Sequence, residues 1–347
     1  LIRATPRNEL VSAMAWLTLP ALLGPLTGPP VGGFLTTYLS WHWIFWINVP
    51  IGAIGILLAT WFLPPPEPRT PRPIDLTGFV LTTFGFSGVI FGLSVISLPA
   101  IPQSLGYGGV VVGAAMLVIY YFHTKRTEHP LLDPKLFRNR VFRTAVIGGS
   151  FFRVGIGAFP FLMPLMLQIT FGLSPFESGL TTFVSAFGAI VSKIGATRLY
   201  ARFGFPRVLA ATSLLGCIFL AANGLFTPQT NHYLLMFVLF IGGLTRSFFF
   251  TGVNTFGYAD IKEADASQAT SIAAVVQQIS VALGVAVAGG ILEAATQIRN
   301  APLDLLDFHI AWYIVALLAV ISTVQFLRLP PDAGANVSGH NVKPLQK

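Results

Sequence analysis

Apolar residues form long runs along this chain, and short polar segments separate the runs. A run of about 20 apolar residues, wound as an α-helix, spans the roughly 30 Å hydrocarbon layer of a membrane. Most runs contain glycine or proline, which membrane helices tolerate. The pattern therefore predicts an all-α polytopic membrane protein with about ten transmembrane helices. The predicted spans are residues 11–38, 44–63, 76–98, 106–123, 142–170, 176–197, 208–226, 233–256, 268–294 and 309–329.

Basic residues are divided unevenly between the two sides of the membrane that these spans define. If consecutive spans cross in opposite directions, 17 of the 21 Lys and Arg residues fall on one side, and Arg299 falls on the other. Loops rich in Lys and Arg stay in the cytoplasm. The distribution predicts that both termini of this chain are cytoplasmic. The three remaining basic residues, Arg153, Lys193 and Arg246, lie inside predicted spans.

Composition agrees with a membrane protein and excludes several other classes. Apolar residues make up 54% of the chain and charged residues 10%, whereas a globular domain carries about 25% charged residues. The net charge of +8 does not indicate nucleic-acid binding, because the basic residues lie between apolar runs. Cys217 is the single cysteine, which excludes a disulfide framework, and no Cys/His spacing indicates a metal site. We expect no cofactor, and we expect the lipid bilayer to surround most of the chain.

The first predicted span contains a regular pattern of small residues between Leu23 and Gly33. Glycines four residues apart form one stripe on a helix, and a second stripe lies beside it. Such stripes allow another helix backbone to approach closely, and prolines inside the helix bend it. A tight packing seam of the kind found in many membrane proteins is the alternative explanation of the pattern. The residues of the two stripes are Gly24, Pro25, Gly28, Pro29, Gly32 and Gly33.

Together with the following segment, Ser40–Gly52, this pattern resembles the antiporter motif and the next loop of the major facilitator superfamily. The chain is most similar to the 14-span drug:proton antiporters of the EmrB/QacA type. The segment Phe161–Leu180 also resembles this family, and Ala201–Arg207 resembles the basic loop found in each half of the superfamily. That likeness implies a cytoplasmic gating loop formed by Arg202, Gly204 and Arg207. Simple orientation of the helices by positive charge is an alternative role for the two arginines.

The resemblance also implies a division of the chain. Residues 1–63 would be a two-span remnant of an N-terminal bundle, and residues 64–125 a proline-rich linker with two extra central spans. Residues 126–330 would form a six-helix C-terminal bundle, and residues 331–347 a cytoplasmic tail. The chain would then cover family spans five to fourteen and lack the first four. The alternative is a natural protein of ten spans.

Two arginines near the middle of predicted spans are the strongest candidates for a substrate cavity. A buried cation in a membrane costs at least about 2.5–3.5 kcal/mol on insertion scales, so Arg153 and Arg246 each need a partner or a wet cavity. Gly149 and Gly157 share the helix face of Arg153 and would leave room beside it. Two guanidinium groups facing one cavity favour an anionic group. Alternatively, each arginine pairs with a helix-end carbonyl or extends toward the membrane surface, as we expect of Lys193.

Amide side chains inside the spans complete the predicted cavity, with simple helix-to-helix bonding as the alternative role. These candidates are Gln168, Asn254, Gln277 and Gln278. Proton coupling requires a group that titrates inside the membrane, but the carboxyl groups lie away from span centres, and Glu293 lies near a span end. Proton coupling is therefore implied by the family resemblance alone, which places such acidic residues in the earliest helices.

These observations favour a secondary active transporter over an enzyme or a scaffold. No nucleotide-binding loop or catalytic constellation occurs in the sequence, so we expect no catalytic residues. The resemblance implies proton-coupled efflux of drugs or other small organic molecules by alternating access at the inner membrane, with protons as co-substrate. We expect the protein to act as a monomer, and accessory export partners are compatible with this function. The alternatives are a permease that imports a small organic anion and a truncated fragment that transports nothing.

Overall fold

The computed structural model describes residues 42–62, 75–96, 101–128 and 130–340, together with residues 9, 12–13, 31, 35 and 39–40. Within these residues, nine helices are long and apolar enough to cross a membrane. They are α1 (Trp43–Phe62), α2 (Leu76–Ile96), α3 (Gln103–Thr124), α4 (Arg140–Ile169), α5 (Phe176–Phe203), α6 (Phe205–Leu225), α7 (His232–Gly257), α8 (Ala266–Arg299) and α9 (Leu305–Leu327).

These nine helices confirm nine of the ten predicted spans, each to within a few residues at most ends. The larger differences are at α5 and α8, which extend five or more residues past the predicted ends at 197 and 294. The first predicted span, 11–38, lies outside the described residues except for isolated positions, and the linker at 64–74 lies outside them entirely. The same is true of Gly24, Pro25, Gly28, Pro29, Gly32 and Gly33, so the packing of the two small-residue stripes stays a prediction.

Helices α4 to α9 form one bundle around a shared apolar core. Helix α4 packs against α8 and α9, α9 packs against α6, and α7 packs against both α5 and α6. Aromatic rings fill the space between α4, α7 and α9: Phe152 lies 4.3 Å from Phe249, and Phe249 lies 5.4 Å from Phe326, measured between ring centroids. All three rings are completely buried.

Glycine allows two pairs of helices in this bundle to approach at the level of their backbones. A Cβ atom at Gly157 of α4 would overlap the Val281 carbonyl of α8, and one at Gly284 would overlap the Val154 carbonyl. In the second pair, a Cβ atom at Gly188 of α5 would overlap a carbonyl of α7, and one at Gly243 would overlap the Ser185 carbonyl. Close approach of this kind replaces the hydrophobic driving force that is missing between helices in lipid.

Helices α2 and α3 form a separate hairpin that packs against α8. Its two helices meet along facing glycines: a Cβ atom at Gly113 would lie 2.6 Å from the Gly85 carbonyl, and one at Gly92 would lie 2.5 Å from the Gly106 carbonyl. At the end of the hairpin away from its basic loops, Gln103 donates a hydrogen bond to Glu293 of α8. The hairpin and the bundle are therefore joined by polar as well as apolar contacts.

A buried carboxylate fixes the other end of the hairpin. Asp75, just before α2, accepts hydrogen bonds from the Gly78 N–H at 2.8 Å, from His123 at 2.8 Å and from the Leu131 N–H at 3.3 Å. Burial raises the pKa of Asp75, but these hydrogen bonds outweigh burial and hold the pKa below its usual range. One side chain thereby ties together the start of α2, the end of α3 and the loop that leads into the six-helix bundle.

The segment after α9 packs onto the bundle as far as residue 340. Asn336 donates to the Ala259 carbonyl at 3.1 Å, and the His340 ring lies 3.2 Å from the Ala201 carbonyl oxygen. Val337 and Ser338 are buried. The first part of the predicted cytoplasmic tail thus covers the ends of α5 and α7, while residues 341–347 lie outside the described residues.

The glycine contact between α4 and α8 generates a test within a single helix. Gly284→Ala places a methyl group against the Val154 carbonyl, so we expect it to lower the free energy of unfolding by about 1–3 kcal/mol, as overpacking does. Gly290→Ala is the matched control, because a Cβ atom there meets nothing within 4 Å. The Tm of both variants in detergent would be compared with wild type, and an equal effect of the two substitutions would contradict the close-packing interpretation.

Candidate functional site

One face of α7 organises the polar interior of the bundle. Arg246, Phe250 and Asn254 follow one another at intervals of four residues and share a helix face. The backbone contact at Gly188 and Gly243 holds α5 against the adjacent face. As a result, polar side chains from α4 and α5 reach α7 at several levels along its length.

Arg153 of α4 lies at the level of Asn254. Its side chain is 2% exposed, and its terminal NH2 nitrogen donates a hydrogen bond of 2.9 Å to Asn254 Oδ1. The Nε and second terminal nitrogen of Arg153 have no hydrogen-bond partner among the described residues. Gly149 leaves room beside the guanidinium as the sequence predicted, since a Cβ atom there would lie 3.3 Å from the Arg153 NH1 nitrogen. Arg153 thus keeps unused donors in a buried position.

The positive charge of Arg153 also acts on Tyr258, the residue that follows α7. Burial raises the pKa of the Tyr258 phenol, and the positive charge of Arg153 acts on that pKa in the opposite direction. The Arg153 guanidinium also lies 5.9 Å from the centroid of the Phe250 ring. The Phe250 ring therefore offers aromatic surface to this cation.

Arg246 of α7 occupies the middle of the bundle. Its Nε donates to the Gly242 carbonyl at 3.1 Å, and its terminal nitrogen donates to the Ser185 hydroxyl of α5. The guanidinium carbon lies 3.8 Å from the centroid of the Phe159 ring of α4, a favourable cation–π distance. Arg246 also borders a cavity of about 10 Å³, which is roughly the space that one water molecule needs. Asn223 lines the same cavity, and its side-chain oxygen Oδ1 has no hydrogen-bond partner among the described residues.

Lys193 of α5 is the third cation in this region. We expected its ammonium to extend toward the membrane surface, but in the structure it donates a hydrogen bond to the Thr251 hydroxyl of α7. At the preceding position of α5, Ser192 donates a 2.8 Å hydrogen bond to Ser247 of α7, between the same two helices. Sequence analysis missed Ser185 and Thr251 as members of the site, because hydroxyl residues are common in membrane helices, and it assigned Lys193 to the membrane surface. For Lys193 a signal was available, because a cation inside an apolar run is rare.

None of the three cations forms an ion pair within the described part of the chain. The ion pairs there join Asp75 to His123, and Arg299 to Asp304 and Asp307, all at helix ends. Arg153, Lys193 and Arg246 are held by neutral hydroxyl, amide and carbonyl oxygens instead. Neutral acceptors satisfy donors but leave the charge uncompensated, so the site presents a positive field in a medium of low dielectric constant.

The structure does not bring the other predicted cavity residues to this cluster. Gln168 is exposed near the end of α4, Gln277 is half-buried and Gln278 is exposed on α8. Among the described residues, no hydrogen bond joins any of these three amides to Arg153, Arg246 or Asn254. Their assignment to the cavity stays a prediction.

The predicted gating loop is a sharp turn between α5 and α6. Gly204 is buried and adopts φ +77°, a left-handed conformation that favours glycine. Arg202 and Arg207 are exposed on either side of it. The turn geometry explains the glycine, while the gating role of the two arginines stays a prediction.

Comparison with known proteins identifies the family of the chain. The sequence profile described as Major Facilitator Superfamily matches residues 1–124 and 145–346. The chain belongs to the major facilitator superfamily. Membership of this superfamily makes the protein a membrane transporter and accounts for its helical fold. The polar cluster on α4, α5 and α7 therefore lies inside one helical bundle of a facilitator.

Bacterial facilitators named as multidrug resistance protein MdtD align with almost all of the chain. The protein from Yersinia enterocolitica is 33% identical over 338 residues, which cover 96% of this chain and 72% of the relative. The one from Pectobacterium atrosepticum is 34% identical over 334 residues, covering 95% and 72%. The one from Escherichia coli K12 is 34% identical over 341 residues, covering 97% and 72%.

The pair formed by Arg153 and Asn254 allows stability and function to be separated. Asn254→Leu leaves a buried guanidinium without its acceptor, so we expect it to lower the free energy of unfolding by about 1.5–3 kcal/mol. The double variant Arg153→Met with Asn254→Leu removes both polar partners, and we expect it to recover most of that stability. We expect the double variant to transport nothing, because the positive charge of Arg153 is gone.

The measurements are Tm in detergent and transport in proteoliposomes for wild type, both single variants and the double variant. A double variant that is stable and fully active would show that Arg153 and Asn254 only hold α4 and α7 together.

Proposed function

We propose that this facilitator exports small organic molecules in exchange for protons. The observation that supports this most directly is the cluster of three unpaired cations and aromatic rings between α4, α5 and α7, in a chain whose relatives are named for multidrug resistance. Ligand sites in transporters of this kind lie near the bilayer midplane, between helical bundles. Arg246 lies near the middle of α7, so the cluster occupies that depth.

The proposed mechanism is alternating access by two bundles that rock against each other around this site. Residues 126–330 form the C-terminal bundle in this proposal, and residues 1–63 contribute two spans to the opposing one. Residues 64–125 supply the linker and an extra pair of helices. The proposal includes a proton-carrying group outside the C-terminal bundle, since the three cations described above are held without a carboxylate.

A permease that imports a small organic anion is a second candidate, and the same three cations favour it. Import and export use the same bundle geometry and differ in whether the substrate moves in the same direction as the proton or in the opposite direction. The direction of proton-dependent movement therefore distinguishes the two functions, and a direct transport measurement decides between them.

We expect everted inner-membrane vesicles that contain the protein, expressed from its complete reading frame, to accumulate a fluorescent dye when their interior is acidified. Ethidium as a cationic dye and carboxyfluorescein as an anionic dye would both be tested. An ionophore that collapses the proton gradient should stop accumulation, and vesicles without the protein are the control. Proton-driven loss of dye from preloaded vesicles, with no accumulation, would support import, and no movement of either dye would contradict both transport functions.

In the proposed orientation, the protein crosses the inner membrane several times and both ends of this chain lie in the cytoplasm. We expect cysteines at the exposed positions Ser104 and Gln229 to react with an impermeant maleimide outside intact cells, and a cysteine at Glu263 to stay unlabelled. The background is Cys217→Ala, because the native thiol is buried. Labelling of the Glu263 position alone would invert the orientation.

A further inference from the structure

The three cations of the cluster are arranged along α7 as a column. Arg246 belongs to α7 and donates to the Gly242 carbonyl, Lys193 donates to Thr251, and Arg153 donates to Asn254. At a rise of 1.5 Å per residue, positions 246 and 254 are about 12 Å apart along the helix axis. Lys193 contacts α7 between these two levels. It therefore extends the positive charge of Arg246 toward that of Arg153.

The helices that surround this column provide no acidic group to balance it. Helices α4, α6 and α7 contain no Asp or Glu. The one acid of α5, Glu177, lies in its first turn and is engaged in a capping box with Ser174. On α8, Glu293 lies near the opposite end and accepts hydrogen bonds from Gln103 and Gln297. The Tyr258 phenol, on which the charge of Arg153 acts, is neutral in its usual state.

The donors of the column are only partly used. Arg153 has two buried nitrogens without a partner among the described residues. Lys193 donates to Thr251, which uses one of the three N–H groups of its ammonium. Unused donors on buried cations are costly unless an acceptor reaches them. An anionic oxygen is the acceptor that satisfies both the hydrogen bonds and the charge.

We infer that Lys193 is a specificity-determining residue that binds an acidic group of the transported molecule together with Arg153, whose contact on α7 lies about one turn away, while Arg246 adds positive charge further along the helix. This inference rests on the proposed transport function and deepens it by naming the substrate class. Phe159 and Phe250 border the two guanidinium groups and offer aromatic surface to the apolar part of a ligand. The substrate class is therefore an amphipathic organic anion, such as an aromatic carboxylate or sulfonate.

The test compares an anionic and a cationic compound on the same protein. Carboxyfluorescein and ethidium would be measured in proteoliposomes for wild type, Lys193→Gln and Lys193→Arg. Lys135→Gln is the matched control, because it removes the same charge from an exposed position outside the spans. Binding of carboxyfluorescein to the detergent-solubilised protein, followed by fluorescence anisotropy and normalised to the folded fraction, gives a measurement independent of transport.

We expect Lys193→Gln to raise the KM and the Kd for carboxyfluorescein at least about 10-fold, in the range expected for loss of a charged hydrogen bond. Lys193→Arg keeps the charge, so we expect it to stay within about 3-fold of wild type. Ethidium transport should change less than about 2-fold in either variant, and Lys135→Gln should leave both compounds unaffected.

Several results would overturn the inference. An unchanged Kd for carboxyfluorescein in Lys193→Gln would exclude a role in anion binding. Equal loss of ethidium and carboxyfluorescein transport would assign Lys193 to helix packing alone. Proton-driven transport of ethidium by a wild-type protein that does not bind carboxyfluorescein would overturn the substrate class while leaving the proposed export function in place.

Binding of carboxyfluorescein that depends on Lys193, without any transport, would instead support the site and contradict the proposed function.

Discussion

Close backbone contact at glycine is the interaction on which this bundle depends. Lipid is as apolar as a leucine side chain, so helices in a membrane gain little from burying apolar surface against each other. Gly157 and Gly284 join α4 to α8, and Gly188 and Gly243 join α5 to α7. Each pair is reciprocal, since a side chain added on either helix would overlap the backbone of the other. The two contacts set the distances at which every side chain between α4, α5 and α7 must fit.

The polar cluster follows from that geometry. Because α5 and α7 touch at Gly188 and Gly243, the short Ser185 hydroxyl reaches the Arg246 guanidinium, and Thr251 reaches Lys193. With a longer spacing these cations would need water or a carboxylate. The bundle instead satisfies part of their hydrogen bonding with neutral oxygens and leaves their charge unbalanced. An uncompensated charge at membrane depth is costly, and its retention favours a role in binding.

The hairpin of α2 and α3 obeys the same packing rule but is attached in a different way. Facing glycines hold its two helices together, while polar contacts at both ends fix it to the bundle through Gln103 and Asp75. Polar attachment at the two ends leaves the middle of the hairpin free to contact lipid. The segment after α9 is similarly attached by side-chain bonds to backbone carbonyls of Ala259 and Ala201. The attachments at Asp75, Ala259 and Ala201 stabilise the basic end of the bundle, and the one at Gln103 stabilises the opposite end.

The sequence by itself determined the helices, their approximate ends and the family, because long apolar runs and local motifs depend only on neighbouring residues. It also indicated Arg153, Arg246 and Asn254, since polar groups are rare enough inside apolar runs to stand out. Only the tertiary structure joined Arg153 to Asn254 and Lys193 to Thr251 by hydrogen bonds. Helical periodicity places a residue on a face, but the partner opposite that face is chosen by which glycines let two distant helices touch.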